Sequence, residues 1–126
     1  MKENEIGTAV VEASIRIHRE LGPGLLESVY EIVLAHDLKE RGFKVERQVT
    51  VPLKYRGLEF DVAFKADLVV NDLVIVELKS VEAINNAHLK QLQTYLKLMN
   101  LRLGYLLNFG EALMKDGIRR VANGFK

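Results

Sequence analysis

Residues 65–79, KADLVVNDLVIVELK, constrain the fold more than any other stretch of the chain. Two apolar, largely β-branched runs flank Asn71 and Asp72, residue types that favour turns, so an antiparallel hairpin is expected here. Side chains alternate between the faces of a strand, which puts Glu77 and Lys79 on one face. The position of Asp67 then depends on register. A two-residue loop at Asn71-Asp72 pairs Asp67 with Val76 and turns Glu77 to the opposite face. A three-residue loop, or one bulge, pairs Asp67 with Glu77 directly. The apolar residues favour this second arrangement. It collects Ala66, Leu68, Val70, Val74, Val76 and Leu78 on one apolar face. Lys65, Asp67, Val69, Ile75, Glu77 and Lys79 then share the other. The first arrangement mixes charge into both faces and would bury it at considerable cost.

Two opposed carboxylates repel one another unless a cation sits between them. A divalent ion would neutralise both and polarise a phosphoryl oxygen, while the lysine orients or helps to deprotonate an attacking water. The sequence has no cysteine, so any metal would be held by oxygen or imidazole, which favours hard ions such as Mg2+ or Mn2+. Taken alone, the D-x(9)-E-x-K pattern also fits a solvated hairpin face on which Lys79 pairs with the carboxylates. Short motifs often arise by chance.

The flanking segments supply the context. Ile6, Val10, Ala13, Ile17 and Leu21 recur at helical spacing and predict a helix over residues 4–21, stopped by Gly22 and Pro23. A second helix is expected from Leu25 to Arg41, with Val29, Ile32, Val33 and Leu38 on its apolar face and Gly42 beyond its end. Residues 44–51 read as a strand, Tyr55-Arg56-Gly57 as a turn, and residues 58–70 as extended chain leading into the hairpin. Helical spacing returns through Leu89, Leu92, Leu96 and Met99, followed by a nearly all-apolar strand at residues 103–108. Residues 117–121 fit either an edge strand or a turn of helix. The order is that of an α/β fold, one mixed central sheet flanked by helices. At 126 residues the chain is expected to form one domain, residues 1–126.

At this level of detail the sequence resembles the PD-(D/E)XK nuclease superfamily: D-x(9)-E-x-K on a hairpin, preceded by helices and followed by a helix and strand. More narrowly, residues 24–30, GLLESVY, match the motif that names the GxxExxY protein family. The surrounding HRELGPGLLESVYE, the Ala66-Asp67-Leu68 step, Val76-Glu77-Leu78-Lys79 and Gly117-Ile118 are also similar to that family. The resemblance implies a restriction-endonuclease-like fold. It implies a metal held by Asp67, Glu77 and the Leu78 carbonyl, with Lys79 positioning or activating water. Glu27 would be an additional acidic residue near the metal. It is equally a carboxylate favoured in a helix's first turn. Tyr30, one turn on, would contact a phosphate or pack at the edge of the core. Gln91 and Tyr95, four apart and hence on one helix face, resemble the Q-x-x-x-Y element that reaches metal and substrate phosphate in the exonuclease-like branch. His18 and His88 fit no metal-ligand spacing and read as surface or helix-boundary residues.

These expectations make the chain a Mg2+-dependent (or Mn2+-dependent) phosphodiesterase acting on nucleic acid, DNA first. Its alternative is a binding module that keeps the fold without turnover. A third reading is an enzyme of another phosphate ester. Residues 1–85 hold 11 Lys/Arg against 15 Asp/Glu, whereas residues 86–126 hold 7 against 2, so a basic C-terminal third could face phosphates. Lys90, Lys97, Arg102, Arg119 and Arg120 are the cations available to follow a backbone. So small a domain offers little surface for reading sequence, and a homodimer or a partner protein is expected, with structure-selective binding that resembles small junction resolvases of the superfamily. No apolar run approaches the ~20 residues of a membrane span. The first ten residues do not resemble a signal peptide, and the expected location is cytoplasmic.

Overall fold

Helix α1 (Lys2–Leu21) forms where the apolar spacing predicts, with Ile6, Val10, Ala13 and Ile17 all buried. It stops where Gly22 adopts φ 76° and donates its N–H to the His18 carbonyl at 2.8 Å, a left-handed ending that suits glycine. The computed structural model describes residues 2–124. Helix α2 (Glu27–Glu40) buries Tyr30, Glu31, Leu34, Ala35 and Leu38. The expected face is therefore partly wrong: Val29 and Ile32 are exposed. The reason is Glu31, a carboxylate that the interior holds in hydrogen bonds, so hydrophobicity alone does not mark the inner face.

Strands β1 (Val45–Tyr55), β2 (Leu58–Val70), β3 (Val74–Lys79), β4 (Leu103–Asn108) and β5 (Ile118–Ala122) make one sheet in sequence order. All neighbours are antiparallel except β3 and β4, which run parallel with Glu77 beside Leu106 and Lys79 beside Asn108. That parallel pair needs a crossover, and helix α3 (Asn86–Met99) supplies it. Asn85 caps α3 by accepting from the His88 N–H at 3.1 Å, and the His88 ring accepts in return from the Asn85 N–H. His88 is thus a helix-boundary residue, as expected. His18 is at a helix end too, but it is buried, with Nε2 2.8 Å from the Glu111 carbonyl. Residues 117–121 combine both expected forms, the end of a short 3-10 turn (Met114–Gly117) leading into β5.

Helices α1 and α2 cover one sheet face through Leu68, Val70, Val74, Val76, Leu78, Leu103 and Leu107. Helix α3 covers the other, with Leu92 and Leu96 against Val69, Ile75 and Leu106. The result is an α/β fold with a mixed central sheet between helical layers. Among the described residues no helix is long and apolar enough to cross a membrane.

One departure bears on the site. Ala66 packs with Val49 and Phe64 in the α3 layer, not with Leu68 and Val70 as the hairpin pattern predicts. The paired strands exchange faces together: Val45 belongs to the α1–α2 layer and Val49 to the α3 layer. The register does not slip at this point, since Arg47 faces Leu68 and Val49 faces Ala66; it shifts only farther out, between Val51 and Leu53. Between them Gln48 takes φ 52°, a left-handed conformation that breaks the two-residue alternation. Asp67 lies opposite this turn of the ribbon. Farther out, β1 and β2 run beyond the helices, and Tyr55, Leu58, Phe60 and Val62 are exposed.

Candidate active site

The hairpin adopts the register that the apolar residues favour. Val70 pairs with Val74 and Leu68 with Val76, leaving a three-residue loop at 71–73. Asn71 and Asp72 both have positive φ, 52° and 58°, which these short polar side chains tolerate. Asn71 also fixes the loop to the start of β1, its side chain accepting from the Lys44 N–H at 2.8 Å.

One step beyond Leu68 and Val76, Asp67 and Glu77 face each other across the strands. The Glu77 carboxylate accepts from the Asp67 N–H at 2.8 Å, and the Asp67 carboxylate accepts from the Leu78 N–H at 2.9 Å. Each acid is therefore anchored by the other strand's main chain. Two short side chains are held at one place without long, flexible contacts. Leu78, between Glu77 and Lys79, buries its side chain in the α1–α2 layer.

Glu77 is only 6% exposed. Burial, then the charge of Asp67, push its pKa from an ordinary 4.5 to about 8, against the opposing effects of the Asp67 N–H and of Lys79. A carboxyl so placed holds a proton at neutral pH unless a cation arrives. Two oxygen-donor side chains with that deficit fit a hard divalent ion, and no thiol competes. The Tyr95 hydroxyl is pushed up by burial, then by Glu77 and Asp67, so it lies within the field of both acids. Its ring stacks on Phe64 at 3.7 Å between centroids. Gln91, one turn earlier on α3, is exposed on that flank.

Helix α2 contributes two acids. Glu27 is exposed and accepts from the Ser80 N–H at 3.3 Å, which ties α2 to the residue following Lys79. Glu31, one turn on, is buried, bonded to Arg47 at 3.0 Å and to Gln48 at 2.7 Å. Gln48 in turn donates to Asp67 at 3.2 Å. Sequence reasoning missed Glu31 and Gln48. The one signal available was the spacing of Glu31 four residues after Glu27, which puts both on one helix face.

Tyr30 corrects the reading of it as a phosphate contact. It is fully buried, stacked on Phe109 at 4.3 Å, with its hydroxyl donating to the Gly22 carbonyl and accepting from the Leu25 N–H. It clamps the loop between α1 and α2, and substrate cannot reach it.

A second clamp, also missed, sits behind Lys79. Asn108, fully buried at the end of β4, accepts from Val81 and Gly110 N–H groups at 3.0 and 3.1 Å and donates to the Val81 carbonyl at 3.0 Å. The Phe109 N–H donates to the Lys79 carbonyl at 2.8 Å. Here Gly110 is required by proximity, because a Cβ would lie 2.2 Å from the Val81 carbonyl oxygen. Gly110→Ala is accordingly expected to destabilise the protein by about 1–3 kcal/mol, the usual range for overpacking. Denaturant midpoints measure it, and an unchanged midpoint would mean that the Lys79–Val81 segment yields freely.

Among the described residues, one group of three metal-competent side chains lies within mutual reach, His36, Asp37 and Glu40 on α2. Asp37 is already paired with Arg16 at 2.9 Å, and the His36 ring lies 3.5 Å from Glu40, so both carboxylates of that cluster already have a nitrogen-bearing side chain beside them.

Comparison with known proteins agrees with this geometry. No curated protein and no solved structure matches the chain. A family model described as the PD-(D/E)XK nuclease superfamily matches residues 4–121. Nearly the whole sequence is covered, from the first turn of α1 into β5, with the acidic hairpin at its centre. The chain belongs to the PD-(D/E)XK nuclease superfamily.

Proposed function

We propose that this protein is a divalent-metal-dependent nuclease that hydrolyses phosphodiester bonds, in DNA first, at Asp67, Glu77 and Lys79. The observation that carries the reading is Glu77, a carboxyl buried against a second carboxylate with its pKa raised to about 8, an arrangement that a divalent cation would relieve. Asp67, Glu77 and the Leu78 carbonyl would hold Mg2+ or Mn2+. Bound there, the ion would supply Lewis-acid polarisation of a phosphoryl oxygen and lower the pKa of water. Lys79, near enough to Glu77 to lower its pKa, orients the attacking water and offsets charge developing on the phosphoryl group. Gln91 and Tyr95 orient the phosphate from α3. Glu27 holds the start of α2 against the residue that follows Lys79.

Within the superfamily, GLLESVY at residues 24–30 supports membership of the GxxExxY family. We take residues 1–126 as one nuclease-like domain that acts in the cytoplasm. The exposed apolar end of the β1–β2 ribbon supports a second copy or a partner protein there.

A nucleic-acid substrate is supported by a groove of about 420 Å³ between α3 and β5, lined by Leu89, Lys90, Gln93, Arg119 and Arg120 among others. Arg119 pairs with Leu106, and Leu106 with Glu77, so Arg119 lies two strands from the acids, about 10 Å along one row. Replacing Lys90 and Arg119 by alanine is expected to weaken DNA binding and make its salt dependence shallower by about two units, with kcat unchanged. Fluorescence anisotropy across a salt series measures this, and an unaltered slope would exclude the groove.

Cleavage of single-stranded, duplex and branched DNA, with Mg2+ and with chelator, tests the reading. Turnover that needs the metal and disappears in Lys79→Ala is expected. Metal binding without turnover on any of the three would make the protein a binding module instead.

A further inference from the structure

Gln48 reaches the acidic pair from β1, and its backbone is unusual. At φ 52° it occupies a left-handed conformation inside a long strand, where a residue with a Cβ is disfavoured and a regular ladder would not place it. Strain of this kind persists where the surroundings over-determine it, often beside functional groups. The surroundings here are identifiable. The side-chain amide nitrogen donates to Glu31 at 2.7 Å and to Asp67 at 3.2 Å. Both partners are carboxylates, which when ionised only accept, so the amide must present its two N–H groups to them.

We propose that Gln48 is a positioning residue for the metal ligand Asp67, an inference that rests on the metal-site reading above. The other Asp67 oxygen is held by the Leu78 N–H at 2.9 Å, so the two bonds together fix the carboxylate's plane and its rotation. Each oxygen keeps a lone pair for a cation. Glu31 anchors the amide from behind, and Arg47 at 3.0 Å balances the charge of Glu31. The chain Arg47–Glu31–Gln48–Asp67 thus links α2 and β1 to the ligand. The left-handed turn at Gln48 aims the amide while reversing the ribbon's faces. Groups that orient a ligand in this way commonly govern metal affinity by about 10–100-fold.

Gln48→Gly and Gln48→Asn separate positioning from structure. Glycine accepts φ 52° freely, which offsets part of the cost of removing one of the two side-chain partners of buried Glu31, and the metal-free protein should remain folded. Asparagine also tolerates this backbone but is one methylene too short to reach both carboxylates. Calorimetric titration with Mn2+ should show affinity lowered about 10–100-fold in both variants. Equal Mn2+ affinity in wild type and Gln48→Gly would overturn the inference and leave the metal site standing. Failure of the wild type itself to bind Mn2+ would overturn both.

Discussion

Asp67→Asn is expected to lower metal-dependent cleavage by about a thousandfold while the protein stays folded, because it removes one of the two charged ligands proposed for the metal. The substitution is close to isosteric. An amide oxygen can still accept from the Leu78 N–H, which Asp67 holds at 2.9 Å, so the hairpin keeps its local tie. What changes is charge, together with the acceptor that Gln48 meets at 3.2 Å, where the new amide presents N–H groups instead. Asp67 is the second largest cause of the raised Glu77 pKa, and its neutralisation should bring Glu77 down towards the ordinary carboxylate range. Metal-free Asp67→Asn should therefore lose less stability than wild type as pH rises towards about 8, and Mg2+ should no longer raise its melting temperature. A variant that cleaves within about tenfold of wild type would remove Asp67 from the site.

The second large effect is a pH dependence of stability in the metal-free protein. Glu77 titrates at about 8 in the folded state against an ordinary 4.5, so between those values the native state binds the proton that the unfolded chain has lost. Stability contributed by this group is complete below about pH 4.5 and is lost as pH rises through 8. The loss amounts to a few kcal/mol, since each tenfold difference in proton affinity is worth about 1.4 kcal/mol. Chelated samples unfolded in denaturant across this range should show it, and Glu77→Gln should flatten the curve. Added Mg2+ should restore more stability at about pH 8 than at about pH 5.5, because at the lower pH it must displace the proton. A profile that is flat in wild type, or equally steep in Glu77→Gln, would remove Glu77 as the source.

The hairpin is the most legible part of the sequence, and for a definite reason. Val70, Val74, Val76 and Leu78 must share the α1–α2 layer, and only an odd loop at 71–73 achieves that while facing Asp67 with Glu77. Ala66 escapes the same logic because the left-handed Gln48 exchanges the ribbon's faces, and Arg47-Gln48-Val49 carries no glycine or turn residue to announce it. Helix α2 misleads because a carboxylate is inside and Ile32 outside. Tyr30 is ambiguous for a similar reason: a tyrosine supplies both a packing ring and a hydroxyl, and only the fold brings the Gly22 carbonyl within its reach. Asn108 and Gly110 act through Val81, a contact between the end of β4 and the segment after β3 that no spacing encodes. Local pattern thus reveals the candidate ligands, while the groups that hold them in place depend on tertiary contacts.

The most direct test is a crystal soaked in Mn2+ and measured for anomalous scattering. The site predicts a peak between the Asp67 and Glu77 carboxylates, within coordination distance of the Leu78 carbonyl, and its loss in Asp67→Asn. A peak only at His36, Asp37 and Glu40, or none beside Glu77 at millimolar Mn2+, would contradict it.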